Sequence, residues 1–351
     1  MTGQTADTQA LDEGGIPRGD LARLAEAFEL GKIVRVMFLP AGMMNRNWQL
    51  ETSRGVFALK QIIDVPVSQA RRSLRVQGAL AAGGLPVCAP RFTTCGQAVA
   101  EIGGHAYCLL PWAGGEHRTG LDLGPGEAGA LGVLVGRIHR ALASPAAGLE
   151  PVTGALRPKV CTPADGLAEA DRFLAIIADR TEPDAFDTVA AEALERRKAL
   201  IAAHGDQRPS DEGVWGPVGW THGDVQPLNL LWENGVVTAV LDWDRLRIRP
   251  YGEEVVRTAR VQFAADDGRW DLKRVEAFTV GYRSVIPISD TDLVDAVERQ
   301  CWDCMTEFWQ LKRHYAKHDH SSDHLWSSGE RLLHWWNARR DQVRAAFMKN
   351  P

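Results

Sequence analysis

The hydrophobic pattern changes once along the chain, near residue 112. Before that point, short stretches in which apolar and polar residues alternate predict strands at 34–39, 47–51, 55–60, 91–94, 98–102 and 105–110. Helical spacing of apolar residues predicts helices between these strands at 21–30 and 69–82. Beyond residue 112 the helical spacing prevails, over 128–143, 168–177, 188–203, 275–285, 290–314 and 329–347.

This pattern predicts an α+β protein. We expect a small antiparallel β-sheet in an N-lobe of residues 17–112 and a mainly helical C-lobe of residues 113–351. Residues 1–16 are polar and unpatterned, which is typical of a flexible tail.

One segment of the helical part has a different pattern. Two short apolar strands, 228–232 and 236–241, are predicted on either side of Asn234-Gly235. Asn-Gly is a strong hairpin signal because both residues tolerate positive φ. With the turn centred there, antiparallel pairing places position 229 opposite roughly 240, and position 227 opposite roughly 242.

The open end of this hairpin is the predicted site of chemistry. Asn229 and Asp242 emerge there together, and a carboxylate with an amide oxygen is a ligand pair that Mg²⁺ accepts. Asp224 lies five residues before Asn229, on the loop that leads into the same end. We predict that Asp224 orients an attacking hydroxyl and receives its proton.

Composition and charge exclude several classes of protein. The chain has 351 residues, 45% of them hydrophobic, and a net charge of −5, with its cations in scattered clusters rather than a basic stripe. We therefore expect a large core and no nucleic-acid partner. No apolar run approaches the roughly 20 residues that cross a bilayer, and no hydrophobic signal region is present, so we predict a cytoplasmic protein without a membrane partner.

Two groups of possible metal ligands are interpreted as binding no metal ion. Cys301 and Cys304 form a single C-x-x-C without a second pair, which favours core packing over zinc. A hydrophilic run near the end of a predicted helix is interpreted as a solvated boundary rather than a metal site, although it holds His314, His318, His320 and His324.

The two motifs together resemble a known family. The pattern is similar to that of the aminoglycoside phosphotransferase and choline kinase-like family: His-Gly-Asp-Val-Gln-Pro-Leu-Asn (222–229) followed by Val-Leu-Asp-Trp-Asp (240–244). Members of this family phosphorylate small molecules and are relatives of the protein kinases. The resemblance implies a bilobal protein-kinase-like fold. It also implies Mg²⁺ and ATP as cofactors, with GTP left open.

The resemblance extends to the N-lobe. It implies that Lys60 grips the α- and β-phosphates and that the turn containing Gly42 and Asn45 covers the nucleotide. It further implies that the backbone of the linker with Leu110 and Trp112 receives the base. An ordinary hairpin turn, an exposed strand-end lysine and a plain interlobe strand are the alternative interpretations of these three features.

The sequence departs from the family at two positions. No glutamate occurs between Glu51 and Glu101, so Lys60 lacks the usual helix partner, and either Gln69 or Gln77 replaces it or Lys60 is held in another way. The acid that braces the catalytic loop is also replaced, and Glu253 or Glu254 is the candidate. We expect His222 to brace the same loop through its ring.

The expected activity is transfer of a γ-phosphate to a hydroxyl of a small molecule. Arginine-rich usage with 34 Gly and 18 Pro is typical of a GC-rich bacterium and favours an antibiotic as acceptor, in resistance or self-protection. Alternatives are a primary-metabolite kinase of homoserine, choline or sugar type, and an inactive kinase-like binding protein. Candidate substrate contacts are Asp244, Trp302 and Glu307. Asp244 could instead assist the metal ion or lie at the surface, and Trp302 could instead pack in the core.

Overall fold

The structure is a computed structural model that describes residues 15–40, 44–153, 156, 159–212 and 216–350. The strands are β1 (Ile33–Leu39), β2 (Arg46–Thr52), β3 (Gly55–Gln61), β4 (Ala100–Ile102), β5 (His105–Pro111), β6 (Val218–Thr221), β7 (Leu230–Glu233), β8 (Val236–Val240) and β9 (Arg247–Pro250). The helices of the first half are α1 (Arg18–Ala27), α2 (Val67–Ala82), α3 (Pro125–Leu142), α4 (Pro163–Ala178) and α5 (Ala185–His204). The later helices are α6 (Tyr251–Phe263), α7 (Leu272–Arg283), α8 (Asp290–Thr306), α9 (Trp309–Leu311), α10 (Asp323–Asn337) and α11 (Arg340–Phe347).

A five-stranded antiparallel sheet of order β1-β2-β3-β5-β4 forms the N-terminal part. Alternation along the central strands explains it, because Trp48, Leu50 and Leu59 point to one face and are buried there against α1. This sheet, followed by a helical part, confirms the predicted α+β fold. The division at residue 112 stays a prediction.

The predicted tail is described only at its end. Residues 1–14 lie outside the described residues, and Ile16 is 1% exposed in the core beneath the N-terminal sheet. The buried chain therefore begins no later than Ile16, one residue inside the segment that we expected to be flexible.

Helices α3 and α7 pack closely at the centre of the helical part. Glycine permits this approach, because a Cβ at Gly132 or Gly281 would overlap a backbone carbonyl of the facing helix. The core around them includes Trp243, Phe263, Phe278 and Trp336, all 0% exposed. This core supports the loops that hold the candidate site.

Two small antiparallel sheets interrupt the helices. The hairpin β7–β8 is present as predicted, with positive φ at both Asn234 and Gly235. Its register differs by one residue, since Leu230 pairs with Val240 after an irregularity that leaves Thr238 unpaired. The second pair, β6–β9, was not predicted because each strand has only four residues and no long alternation.

Other predictions differ from the structure. Residues 91–94 form no strand, and Arg91 makes only an isolated bridge to Leu109. The helix predicted over 290–314 ends at Thr306, beyond which α9 continues as a π-helical turn, Lys312–Ala316. Helix α6 was missed. Within the described residues, none of the helices combines the length and the apolar character needed to cross a membrane.

Candidate active site

The turn after β6 has a conformation that only glycine accepts easily. Gly223 has a φ of +85°, and a Cβ there would overlap the carbonyl oxygen of Arg245. Beside it His222 is 0% exposed: its Nε2 donates to the Leu241 carbonyl (2.9 Å), and its Nδ1 accepts the backbone N–H of Asp224 (3.2 Å). His222 therefore braces the loop, as predicted.

Glu254, near the start of α6, is the buried acid that holds this turn. Its carboxylate accepts the backbone N–H of His222 (3.2 Å) and that of Gly223, and it pairs with Nε2 of His139 (2.6 Å). Although burial opposes its charge, the contacts with His139 and the loop keep the pKa of Glu254 below its usual value. Of the two candidates, Glu254 replaces the missing acid.

Asp224 is fixed by three donors. Arg257 Nη2 lies 2.6 Å from its Oδ1, while the amide nitrogens of Gln226 and Asn229 each donate to its Oδ2 at 3.1 Å. Asn229 also donates to the Asp224 carbonyl (2.9 Å). The structure thus brings Asn229 to Asp224, and it leaves the amide oxygen of Asn229 free of these bonds.

Sequence analysis missed Arg257. The residue lies three positions after Glu254 on α6, so both side chains project from one face of that helix toward the same loop. The apolar spacing of Val255, Val256 and Ala259 was the available signal for this helix.

Asp242 lies at the other side of the hairpin mouth and contacts Lys60. Its φ is +56°, its side chain is 42% exposed, and its Oδ1 accepts from Lys60 Nζ at 2.8 Å. The backbone joins it to Asn229, because the N–H of Leu241 donates to the Asn229 carbonyl (2.8 Å). The structure therefore places Asp242 next to the lysine and, through the backbone, beside the loop that carries Asp224.

Asp244 completes the environment of Lys60. Its Oδ2 lies 2.8 Å from Lys60 Nζ and accepts from Asn45 Nδ2 (2.9 Å). Burial opposes the charge of Lys60, but the two carboxylates outweigh it and raise the pKa of this lysine, while Lys60 in turn lowers the pKa of Asp242 against its own burial. Gln69 donates instead to the backbone carbonyl of Asp244 (2.8 Å), so Lys60 is held by acids of the turn after β8 rather than by α2.

Of the other predicted nucleotide contacts, the structure describes Asn45, Leu110 and Trp112. Gly42 falls outside the described residues. The side-chain oxygen of Asn45 accepts the backbone N–H of Ile63 (2.9 Å), so this buried residue links the turn after β1 to the end of β3. Leu110 is half-buried on β5, and Trp112 is 41% exposed just after it.

The predicted substrate contacts have separate environments. Asp244 is 8% exposed between Lys60 and Asn45. Trp302 is 2% exposed, and its indole N–H donates to the Cys161 carbonyl (2.8 Å), so it belongs to the core and we leave it out of the proposed substrate site. Glu307 has a half-exposed side chain 3.6 Å from Lys312 Nζ, at the end of α8.

A cavity of about 90 Å³ lies between β9, α6 and α8. A shallower depression shares Arg249 and Glu253 with it and includes Gly223 and Arg257, so the cavity adjoins the Asp224 loop. Partial loss of hydration in the cavity wall and the nearby Glu253 carboxylate raise the pKa of Asp303 to about 6. Charged side chains that line the cavity are Lys159, Arg249, Glu253, Asp292, Asp295, Arg299 and Asp303.

Known proteins share a family pattern and the fold with this chain. The family model described as the phosphotransferase enzyme family matches residues 35–288. No curated protein sequence matches the chain significantly.

Solved structures share the fold at low identity. A spectinomycin phosphotransferase in complex with ADP and spectinomycin is 14% identical, with a TM-score of 0.60 over 93% of this chain and 96% of its own. An amicoumacin kinase in complex with AMP-PNP and Ca²⁺ is 17% identical, with a TM-score of 0.57 over 90% and 92%. A microcompartment-associated aminopropanol kinase is 13% identical, with a TM-score of 0.57 over 93% and 99%. At such identities the likeness shows the fold, which confirms the predicted bilobal kinase-like architecture.

Proposed function

Because the chain belongs to the phosphotransferase enzyme family, as its two motifs predicted, we propose that it transfers the γ-phosphate of ATP to a hydroxyl of an antibiotic in a magnesium-dependent reaction. Family membership confirms the prediction of a small-molecule kinase. One observation carries the residue roles: the Asp224 loop and the Lys60–Asp242 pair meet at the two sides of one hairpin mouth.

Asp224 is the proposed catalytic residue. Its carboxylate would accept a hydrogen bond from the acceptor hydroxyl and then its proton as the hydroxyl oxygen bonds to the γ-phosphorus and the bond to the β-phosphate oxygen breaks. Arg257 and Asn229 fix the carboxylate by hydrogen bonds of 2.6 and 3.1 Å. ADP and the phosphorylated alcohol are the products, and no covalent enzyme intermediate is needed.

Asn229 and Asp242 would hold Mg²⁺. The donor set fits this ion, because the Asn229 amide nitrogen is used toward Asp224, which leaves the oxygen for the ion, and the Asp242 carboxylate is 42% exposed. The ion would neutralise phosphate charge. Lys60 would contact the α- and β-phosphates, and the 110–112 segment would receive the base.

The cavity beside the Asp224 loop supports an acceptor that carries both a hydroxyl and an amine. Carboxylates outnumber cations among its charged lining residues. Two of the similar solved structures are named as kinases of antibiotics, and a third is named as an aminopropanol kinase, so a small amino alcohol is the second candidate. The nucleotides named in these complexes are adenosine nucleotides, which supports ATP over GTP.

A coupled assay of ADP release tests the proposal. Wild-type protein with Mg²⁺ and ATP is screened against spectinomycin, aminoglycosides, choline, homoserine and aminopropanol, and hits are repeated with GTP. We expect turnover with an antibiotic, loss of at least about 10³-fold in kcat for Asp224→Asn, and nucleotide affinity unchanged in that variant. The exposed Asp267→Asn is the matched control and should keep wild-type rates.

Each contrary result has a distinct meaning. Turnover confined to an amino alcohol, choline or homoserine would replace the antibiotic by a metabolite. Mg²⁺-dependent nucleotide binding without turnover on the whole panel would support the inactive binding protein. Wild-type rates in Asp224→Asn would remove the role of that residue.

A further inference from the structure

Three potential metal ligands meet far from the hairpin mouth in sequence, where the chain passes from α9 to α10. His314 lies in the π-helical turn Lys312–Ala316, His320 in the following loop, and Asp323 is the first residue of α10. Single π-turns inside helices often mark functional sites. The interpretation of this run as a solvated boundary is wrong for His314, which is 2% exposed.

The three ligand atoms form a compact triangle. His314 Nδ1 lies 2.9 Å from Asp323 Oδ2, His320 Nδ1 lies 3.2 Å from the same oxygen, and the two Nδ1 atoms are 3.0 Å apart. These lengths are near the ligand–ligand separation of about 3.3 Å in a tetrahedral zinc site with bonds of about 2.0 Å. An ion about 1 Å out of the plane of the triangle would be about 2.0 Å from each atom.

Hydrogen bonding alone does not satisfy this triangle. If both Nδ1 atoms carry protons to share with Asp323, the two N–H groups face each other at 3.0 Å. If only one carries a proton, the lone pair of the other faces a carboxylate lone pair at 2.9 or 3.2 Å. When both imidazoles carry their proton on Nε2 instead, a cation can receive the two Nδ1 lone pairs and one carboxylate lone pair, which removes the repulsion.

The surroundings hold the ligands in place. Phe186 stacks on the His314 ring at 4.2 Å, which fixes the plane of the imidazole. Carboxylate oxygens of Asp184 and Asp187, both of which pair with Arg180, lie within 4.8 Å of a His314 ring nitrogen. The Nε2 of His314 has no hydrogen-bond partner among the described residues, so it can carry the ring proton and leave the lone pair of Nδ1 to an ion.

We propose that His314, His320 and Asp323 bind one Zn²⁺ ion. Two imidazole nitrogens and one carboxylate oxygen suit zinc, whereas Mg²⁺ prefers oxygen ligands alone, so this site is chemically distinct from the proposed magnesium site. The His320 side chain is 62% exposed, which gives the ion a route from solvent and leaves a fourth position for water.

The ion would fasten the segment between α9 and α10 in place. This segment reaches the N-terminal sheet, because Arg313 Nη1 lies 3.5 Å from Met44 Sδ in the turn before β2. The same guanidinium pairs with Asp319 in the loop. Zinc is therefore expected to stabilise the region where the helical part contacts that turn.

Metal content and affinity of the full chain test the site. Protein stripped with a chelator is titrated with Zn²⁺ against a chromophoric competitor, and unfolding is followed with and without the ion. We expect one tight zinc per chain and a higher Tm with zinc for the wild type. His320→Ala and Asp323→Asn should each weaken binding by more than about 100-fold and lose the Tm shift, since even loss of a group that only orients a ligand costs about 10–100-fold.

His324→Ala is the matched control. It removes an exposed imidazole next to Asp323 on α10 and should bind zinc as the wild type does. Because the wild-type chain has six free cysteines, Co²⁺ substitution is the second readout: a thiolate-to-cobalt band that persists in His320→Ala would assign the metal to cysteine and overturn the proposal. Equal zinc affinity of His320→Ala and wild type, absence of bound zinc in both, or a preference for Fe²⁺ would overturn it as well.

Discussion

Replacing Glu254 by glutamine is expected to loosen the Asp224 loop without a change of side-chain volume. The carboxylate is 4% exposed and receives the N–H of His222, the N–H of Gly223 and the ring of His139. An amide has one accepting oxygen, so at least one of these three donors would face an NH₂ group.

The expected loss of stability follows from the three contacts. A hydrogen bond to a charged group contributes about 1.5–3 kcal/mol and a neutral one about 0.5–1.5 kcal/mol, so three contacts lose about 3 kcal/mol in total. For a chain of this size that is a fall in Tm of roughly 4 °C. A displacement of the loop by about 1 Å would lower kcat about 10²-fold.

The difference in stability between wild type and Glu254→Gln should also depend on pH. The pKa of Glu254 is lowered on folding, so its contribution is present above the unfolded value of 4.5 and is lost as the pH falls through the lower folded pKa. The Tm gap between wild type and Glu254→Gln is therefore expected to be constant from neutral pH down to about 5 and to narrow below about 4.5.

Thermal unfolding by circular dichroism and the ADP-release assay measure both effects. Glu253→Gln is the matched control for stability. Glu253 pairs with the half-buried Arg249 at 3.3 Å, and this ion pair should contribute at most about 1 kcal/mol. If Glu254→Gln unfolds within about 1 °C of wild type and keeps its kcat, the assignment of Glu254 as the brace is refuted.

Three further changes are expected to separate binding, folding and recognition. Lys60→Gln removes the cation between two carboxylates and should lower kcat/KM for ATP about 10²-fold or more; an unchanged value in steady-state kinetics contradicts the phosphate role. Gly223→Ala adds a Cβ that overlaps the Arg245 carbonyl at a φ of +85° and should lower the free energy of urea unfolding by about 2 kcal/mol or more. Gly148→Ala is the control and should cost less, because Gly148 has a φ of +66° but open space around it. Equal losses of unfolding free energy in the two variants would show that the overlap at Gly223 has no cost. Asp303 has a pKa of about 6, so it loses its negative charge as the pH falls below 6, and KM for a cationic acceptor should rise there. Profiles of KM against pH measure this effect, and Asp303→Asn should show no such rise.

Local signals in the sequence were sufficient for the elements whose contacts are local. The strands predicted at 34–39, 47–51 and 55–60 correspond to β1, β2 and β3, because alternation sets which face is buried. The Asn234-Gly235 turn lies where the dipeptide requires positive φ. The register differed by one residue because a β-bulge has no signal of its own in the sequence.

The parts that were missed depend on contacts between distant segments. Strands β6 and β9 pair residues about thirty positions apart and are too short to show a period. The contact between Arg257 and Asp224 depends on helix α6, which the sequence pattern does not predict. The sequence assigns only acids near the start of this helix, as a brace for the loop. The triangle of His314, His320 and Asp323 forms because α8 ends at Thr306. The apolar spacing continues through residue 314 and therefore predicts one uninterrupted helix there.

The partner of Lys60 shows how a departure from a family pattern is compensated in three dimensions. A helix glutamate is absent from α2, but Gln69 of that helix holds the Asp244 carbonyl, and Asp244 together with Asp242 supplies the negative charge to the lysine. The acid has thus moved from α2 to the turn after β8, which also carries the proposed magnesium ligand. Because Asp242 is both a partner of Lys60 and the proposed magnesium ligand, nucleotide with Mg²⁺ is expected to take Asp242 from Lys60 and leave the lysine to Asp244 and the phosphates. Since Gln69 holds the Asp244 carbonyl, binding of the nucleotide is expected to affect the position of α2.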